Sequence, residues 1–208
     1  MQCRFVKRVS VNGVSTDYPS YLVFREVSDG WKIVVEGDSV TDSNLTRRST
    51  KQRIVPRGAV AGDFNGDGKL EYIWVQSPKV DENDFGSCVG ECNSQIYFSD
   101  SSIPSIEVVG SIGGVLSNLG DLNANGADEV GMLPDWFQSC WRDYYVWTLK
   151  NGRWKFAVDG ISTHCNQWES AVKPIEIDPE NDGHVIIRYS EFVDGEILTK
   201  QKSVKIDR

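Results

Sequence analysis

The sequence predicts an all-β protein, a propeller-like assembly of about three to four antiparallel blades or hairpin repeats, with a β-sandwich as the alternative arrangement. Three observations carry that expectation. Short β-branched and aromatic runs are punctuated by Gly, Asn, Asp and Pro, sustained helical periodicity is nearly absent, and one acidic segment recurs at a near-constant interval.

Taken in chain order, "YLVFREVSDGWKIVVEG", from Tyr21, reads as a hairpin turning at Asp29-Gly30. The acidic segment "GDFNGDGKLEYIWV" follows from Gly62, and "QIYFSDSSIPSIEVVGS" reads as the hairpin after it. A second copy, "GDLNANGADEVGML", begins at Gly120 and leads to the hairpin "YYVWTLKNGRWKFAVDG", with its turn at Asn151-Gly152. Asp-Gly and Asn-Gly supply the positive φ angles that tight hairpin turns require. A third, altered copy, "EIDPENDGHVIIRY", runs into "IIRYSEFVDGEILTKQKSVKI", again a hairpin. Asp121 follows Asp63 by 58 residues (121 − 63), and Asp178 follows Asp121 by 57 (178 − 121). Each unit reads as an acidic loop, a strand and a hairpin. The expected organisation is one domain, 1–208, with approximate repeats 1–58 (partial), 59–116, 117–173 and 174–208 (partial).

With 208 residues, 39% of them hydrophobic and 25% charged, the chain is long and apolar enough to bury a core. A formal charge of -8 argues against a nucleic-acid backbone as partner and suits cations or a basic protein. No run reaches the 18 or so apolar residues that a membrane-spanning helix needs, and "MQCRF" is not followed by a signal-peptide apolar core. The expectation is a periplasmic, cell-surface or secreted protein whose signal peptide has been removed, with Cys3 either an ordinary thiol or a lipid-attachment cysteine. Five cysteines leave at least one unpaired within the chain. Cys88 and Cys92 suit a loop-stapling disulfide, and Cys140 and Cys165 flank one hairpin and suit a clamp on its ends. Free thiols and a metal–thiolate site are the alternatives, although zinc would want more Cys or His than His164 and His184 add.

The acidic segment points to calcium, which takes about six to eight oxygen ligands, so a compact loop must turn alternate residues toward one point. Counting Asp63 as position one, Asn65 is three, Asp67 five, Lys69 offers its carbonyl at seven, and Glu71 is nine. Gly66 and Gly68 permit the turn. An EF-hand would need a glutamate at position twelve and then a helix, whereas Trp74 stands there within a β-type run. The second copy offers Asp121, Asn123, Asn125, the carbonyl of Ala127, and Glu129, with one fewer charge and weaker expected binding. The third has Ile186 at position nine and is expected to hold no metal. A plain Asx turn joining strands is the alternative for every copy.

"DFNGDGKLEYIWV" and "DLNANGADEVGML" resemble the calcium loops of the FG-GAP and VCBS repeat families, the repeats of integrin α-subunit propellers and many bacterial extracellular proteins. That resemblance implies β-propeller blades, one or two structural calcium ions, and a role in binding or adhesion rather than catalysis.

Other constellations carry less. "GSCVG" around Cys88 lacks the strand-to-helix context of a nucleophile elbow. Trp136, Phe137, Trp141 and Arg142, with Trp168 in a second loop, offer a surface for a protein or glycan partner, core packing being the alternative. The basic run 44–53 reads as a solvated loop or a docking site for an acidic partner, and Asn44-Leu45-Thr46 as a chance glycosylation triplet. The function expected is a non-enzymatic, calcium-stabilised binding or adhesion module, one that recognises or neutralises a partner protein. The alternative is an extracellular polysaccharide-acting hydrolase or accessory carbohydrate-binding protein, for which Asp135 and Glu191 are the carboxylates to test.

Overall fold

Where β-branched and aromatic residues alternate, the chain forms strands, and where Asp-Gly or Asn-Gly intervenes it turns back. A computed structural model describes residues 2–11, 14–27 and 30–38 as backbone strands, and 55–207 apart from 85 and 170–172. The chain divides into two compact units, residues 1–50 and 51–208.

In the first unit, β1 (Gln2–Val11), β2 (Val14–Val27) and β3 (Gly30–Asp38) pair antiparallel in that order. The hairpin from Tyr21 is thus β2–β3, closing at the pair Val27 and Gly30. Its turn residue Asp29, the run 44–53 with the Asn44 triplet, and the side chain of Cys3 lie outside the described residues.

The second unit holds three antiparallel sheets, none closed into a barrel. The first runs β4 (Val60–Gly62), β5 (Glu71–Gln76), β6 (Asn93–Phe98), β7 (Ile106–Val109). The second runs β8 (Gly113–Asn118), β9 (Val130–Asp135), β10 (Trp141–Lys150), β11 (Arg153–Phe156), with β12 (Ile161–His164) also on β10. The third is β13 (Ile175–Ile177), β14 (His184–Val193), β15 (Glu196–Lys205). Among the described residues the one helical element is a 3-10 turn at Cys165–Glu169, so the protein is all-β.

Two details depart from the pattern expected of each repeat. The unit opens one strand earlier than its acidic loop, because β4, β8 and β13 precede the loops. β4 and β13 have only three residues each, too few to display alternation. The outer strand of the second sheet is interrupted: β11 pairs with the end of β10 at Trp147–Lys150 and β12 with its start at Trp141–Tyr144. Ala157 N–H still donates to the Val146 carbonyl of β10 at 2.9 Å; beyond it the chain leaves the sheet, and Ala157 and Val158 are buried.

Each of the two cores draws on two consecutive sheets. Phe64, Ile73, Ile96, Phe98 and Ile106 meet Val130, Met132 and Trp147 in one; Tyr144, Val146 and Ile161 meet Ile175, Val185, Ile187 and Ile206 in the other. β10 serves both because its side chains alternate: Trp147 faces the first core, Tyr144 and Val146 the second. The central strands β9 and β10 of the middle sheet are therefore covered on both faces.

Candidate functional site

In both complete sheets the acidic loop joins the first strand to the second, and its even and odd positions have different work. Position two is apolar and buried. Phe64 is 0% exposed and meets Phe98 edge-on at 5.8 Å, and Leu122 belongs to the second core. These anchors force the odd positions toward a common point.

The two loops share one hydrogen-bond plan. In the first, Asp63 Oδ1 accepts from Gly66 N–H (2.9 Å) and Asp67 N–H (3.1 Å), and Oδ2 from Gly68 N–H (2.8 Å). Asn65 Oδ1 accepts from Asp67 N–H, Asp67 Oδ1 from Lys69 N–H, and Glu71 Oε2 from Phe64 N–H (3.0 Å). In the second, Asp121 Oδ1 accepts from Asn125 N–H (3.0 Å) and Oδ2 from Gly126 N–H (2.9 Å). Asn123 Oδ1 accepts from Asn125 N–H, Asn125 Oδ1 from Ala127 N–H, and Glu129 Oε2 from Leu122 N–H (2.7 Å). The predicted side-chain positions Asp63, Asn65, Asp67 and Glu71, and Asp121, Asn123, Asn125 and Glu129, thus each accept from backbone N–H groups of their own loop.

Negative charge is concentrated in the first loop, where Lys69 is the one cation of the stretch 63–71. Ligand atoms of Asp63, Asp67 and Glu71 lie within 4.8 Å of one another. Lys69 Nζ reaches Asp67 Oδ2 at 2.8 Å, and this bond holds the Asp67 carboxyl below the usual carboxylate range. Glu71 is raised, first by burial and then by the Asp67 and Asp63 charges, against the lowering effect of Phe64 N–H. Glu129 is the more extreme case: it is 0% exposed, its Oε1 meets no donor at full hydrogen-bond geometry, and burial lifts its carboxyl to about 7 against the lowering effects of Leu122 N–H, the Thr148 hydroxyl and Asn123 N–H. A buried carboxylate oxygen left unpaired is costly unless something charged completes it. Together with the neighbouring Asp and Asn oxygens, that donor set is all hard oxygen and suits calcium.

The second loop is also tied to its surroundings. Asn123 Nδ2 donates to Thr148 Oγ1 (3.0 Å) and to the Asp207 carbonyl (2.9 Å), and Asn125 Nδ2 donates to Thr148 Oγ1 (3.2 Å). At the third copy Asp178 is engaged by protein donors instead. Ser203 hydroxyl chiefly, then Asn181 Nδ2 and Glu180 N–H, hold its carboxyl down at about 2. Ile186 supplies no oxygen side chain at position nine.

The aromatic segment sits elsewhere. Trp136, Phe137, Trp141 and Arg142 lie on the β9–β10 connection and the start of β10, at the opposite end of β9 from the acidic loop. Six residues of strand separate the two ends by about 20 Å. Disulfides join Cys140 to Cys165 and Cys88 to Cys92, the former just beyond the Trp141 and His164 pair that ends the β10–β12 ladder. The cluster Cys140, His164 and Cys165 therefore has its sulfurs in a covalent bond. Trp136 Nε1 donates to the Trp141 carbonyl, and Arg142 pairs with Asp135. Trp168 Nε1 donates to Thr163 Oγ1, and its ring lies against Tyr144 at 5.4 Å, packed on the second core. Trp136, Phe137 and Trp141 are half-buried. Glu191 pairs with Lys200.

Sequence reasoning missed Phe64, Leu122, Thr148, Asn118 and Asp128. An apolar residue between two acidic or amide positions was the available signal for Phe64 and Leu122. The other three act through hydrogen bonds between residues distant in sequence, which leave no local pattern.

No protein-family model matches the chain, and neither does any curated protein or solved structure. Among the described residues no helix is long and apolar enough to cross a membrane.

Proposed function

We propose that the chain is a non-enzymatic binding module whose blade-like sheets are stabilised by calcium in the two acidic loops. The fully buried carboxylate of Glu129, whose Oε1 meets no donor at full hydrogen-bond geometry, carries this reading, because it lies in the loop that gathers Asp121, Asn123 and Asn125. In the first loop Asp63, Asn65, Asp67, Glu71 and the Lys69 carbonyl would hold the ion; in the second Asp121, Asn123, Asn125, Glu129 and the Ala127 carbonyl. A bound divalent cation supplies cross-linking charge, which neutralises the buried glutamates and adds stability by mass action. The resemblance of both loops to FG-GAP and VCBS repeats agrees with this use. So does their placement between the first and second strands of antiparallel sheets of four and five strands.

The partner, a protein or a glycan, is assigned to the far end of the second sheet, where Trp136, Phe137, Trp141 and Arg142 stand on a connection fastened by the Cys140–Cys165 disulfide. Two disulfides suit an oxidising compartment, hence a secreted, periplasmic or surface location. The test is capture on the immobilised full chain, of proteins and of glycans, with and without calcium. The expected result is a ligand retained by the wild type and lost with Trp141→Ala. Equal retention by that variant sinks the assignment of the aromatic end. Turnover of a polysaccharide abolished by Glu191→Gln or Asp135→Asn would replace binding with catalysis.

A further inference from the structure

We infer that the two acidic loops are one coupled device, in which filling either loop raises the affinity of the other, with Asp128 as the positioning residue between them. The inference rests on the calcium reading above and adds to it a direction of coupling and a residue that is not a ligand.

The loops are 58 residues apart in sequence (121 − 63) yet joined by one backbone–backbone and one backbone–side-chain hydrogen bond. Asp63 N–H donates to Asp128 Oδ2 at 2.9 Å, and Asp128 N–H donates to the Asp63 carbonyl at 2.8 Å. Asn118 Nδ2 braces the same carboxylate oxygen at 2.8 Å while also donating to the Ala61 carbonyl at 3.0 Å. Its Oδ1 accepts from Gly120 N–H at 2.8 Å, at the mouth of the second loop. A Cβ built on Gly66 would lie 3.0 Å from the Gly126 carbonyl oxygen, so the two turns touch.

The residues so joined are not peripheral. Asp63 is position one of the first loop and receives three backbone N–H groups of that loop. Asp128 lies between Ala127 and Glu129, which offer the carbonyl and the buried carboxylate of the second loop. Ordering Asp63 therefore orders the peptide that carries two donors of the neighbouring site, and the reverse holds by the same two bonds. A second ligand entering an already ordered loop loses less conformational freedom, which is positive coupling without any change of fold.

Repulsion between two cations opposes this, and the local charge decides that it does not win. The stretches 63–71 and 121–129 hold six carboxylates (Asp63, Asp67, Glu71, Asp121, Asp128, Glu129) and one ammonium, Lys69, a formal charge of -5. Two divalent cations bring it to -1, so the filled pair is still not positively charged.

The test is a calcium titration of the full chain by calorimetry, with native mass spectrometry counting ions. The wild type is expected to take up two ions cooperatively. Disabling the second loop by Asp121→Ala should weaken the first by about fivefold or more, the lower end of usual coupling. In an Asp128→Ala background the same substitution should leave the first loop's affinity within about twofold, and Asp128→Asn, which keeps the acceptor oxygen, should restore the coupling. If two ions bind independently to the wild type, the coupling is overturned while the calcium reading stands. If Asp128→Asn loses the coupling as Asp128→Ala does, charge and not the hydrogen bond couples the sites, and if Asp128→Ala keeps it, the surviving backbone bond from Asp128 N–H to the Asp63 carbonyl carries it; either result overturns the positioning role. If no calcium binds, both readings fall. The Asp121→Ala arm leaves Asp128 intact and decides the coupling even where Asp128→Ala does not fold.

Discussion

Removing the charge of Glu129 should remove a pH dependence of stability to which Glu71, also raised by burial, adds in the same direction. The folded protein lifts this carboxyl from about 4.5 to about 7, burial being the main cause. A raised acid pKa means that the folded state binds the proton more tightly than the unfolded chain. Its stabilising contribution is full below about 4.5 and is lost as pH rises through about 7. Between pH 5 and pH 8 the difference works out at about 2–3 kcal/mol of stability lost in calcium-depleted protein. Glu129→Gln abolishes that titration. Any fixed cost of the buried amide is the same at both pH values and cancels in the comparison. The assay is urea unfolding of wild type and variant at pH 5 and pH 8 without calcium, read by near-UV circular dichroism. The reasoning is refuted if the two proteins lose stability equally between those pH values.

Phe64→Ala removes a fully buried ring that anchors the first loop, and should cost about 3–5 kcal/mol in urea unfolding together with a weaker first calcium affinity; unchanged affinity would show that the anchor does not position the odd residues. Gly66 has φ +73° and faces the Gly126 carbonyl, so Gly66→Ala should destabilise by about 1–2 kcal/mol, and a neutral result in the same assay would contradict the close approach of the loops. Cys140→Ser with Cys165→Ser opens a loop of sequence separation 25 and should lower stability by about 3 kcal/mol while leaving the number of bound calcium ions unchanged. A loss of calcium in that double variant would mean that the two ends of the second sheet are not independent.

Much of the architecture is local and therefore visible in the sequence. Asn151-Gly152, with φ of 53° and 71°, turns β10 into β11 where the Asn-Gly pair stands. Asp194-Gly195, at 51° and 89°, does the same between β14 and β15. Alternate oxygen-bearing residues at Asp63, Asn65 and Asp67, and their copy 58 residues later (121 − 63), place the two loops in equivalent positions. What stayed hidden depends on distant partners. β4 is three residues long, and it is a strand only because Val60, Ala61 and Gly62 meet Ile73, Tyr72 and Glu71 of β5. β12 is separated from β10 by another strand and a buried excursion, so no periodicity links Trp141 to His164. Asp128 reads as one more acidic loop residue until Asp63 is seen bonded to it. The aromatic run looked adjacent to the acidic loop in sequence, yet β9 carries it to the other end of the sheet.

Calcium-binding stoichiometry tests the central claim most directly. Native mass spectrometry of the full chain, titrated with calcium after chelation, should show two ions per chain, falling to one in Asp121→Ala. A chain that takes up no calcium, with an unchanged melting temperature under excess chelator, would contradict the account.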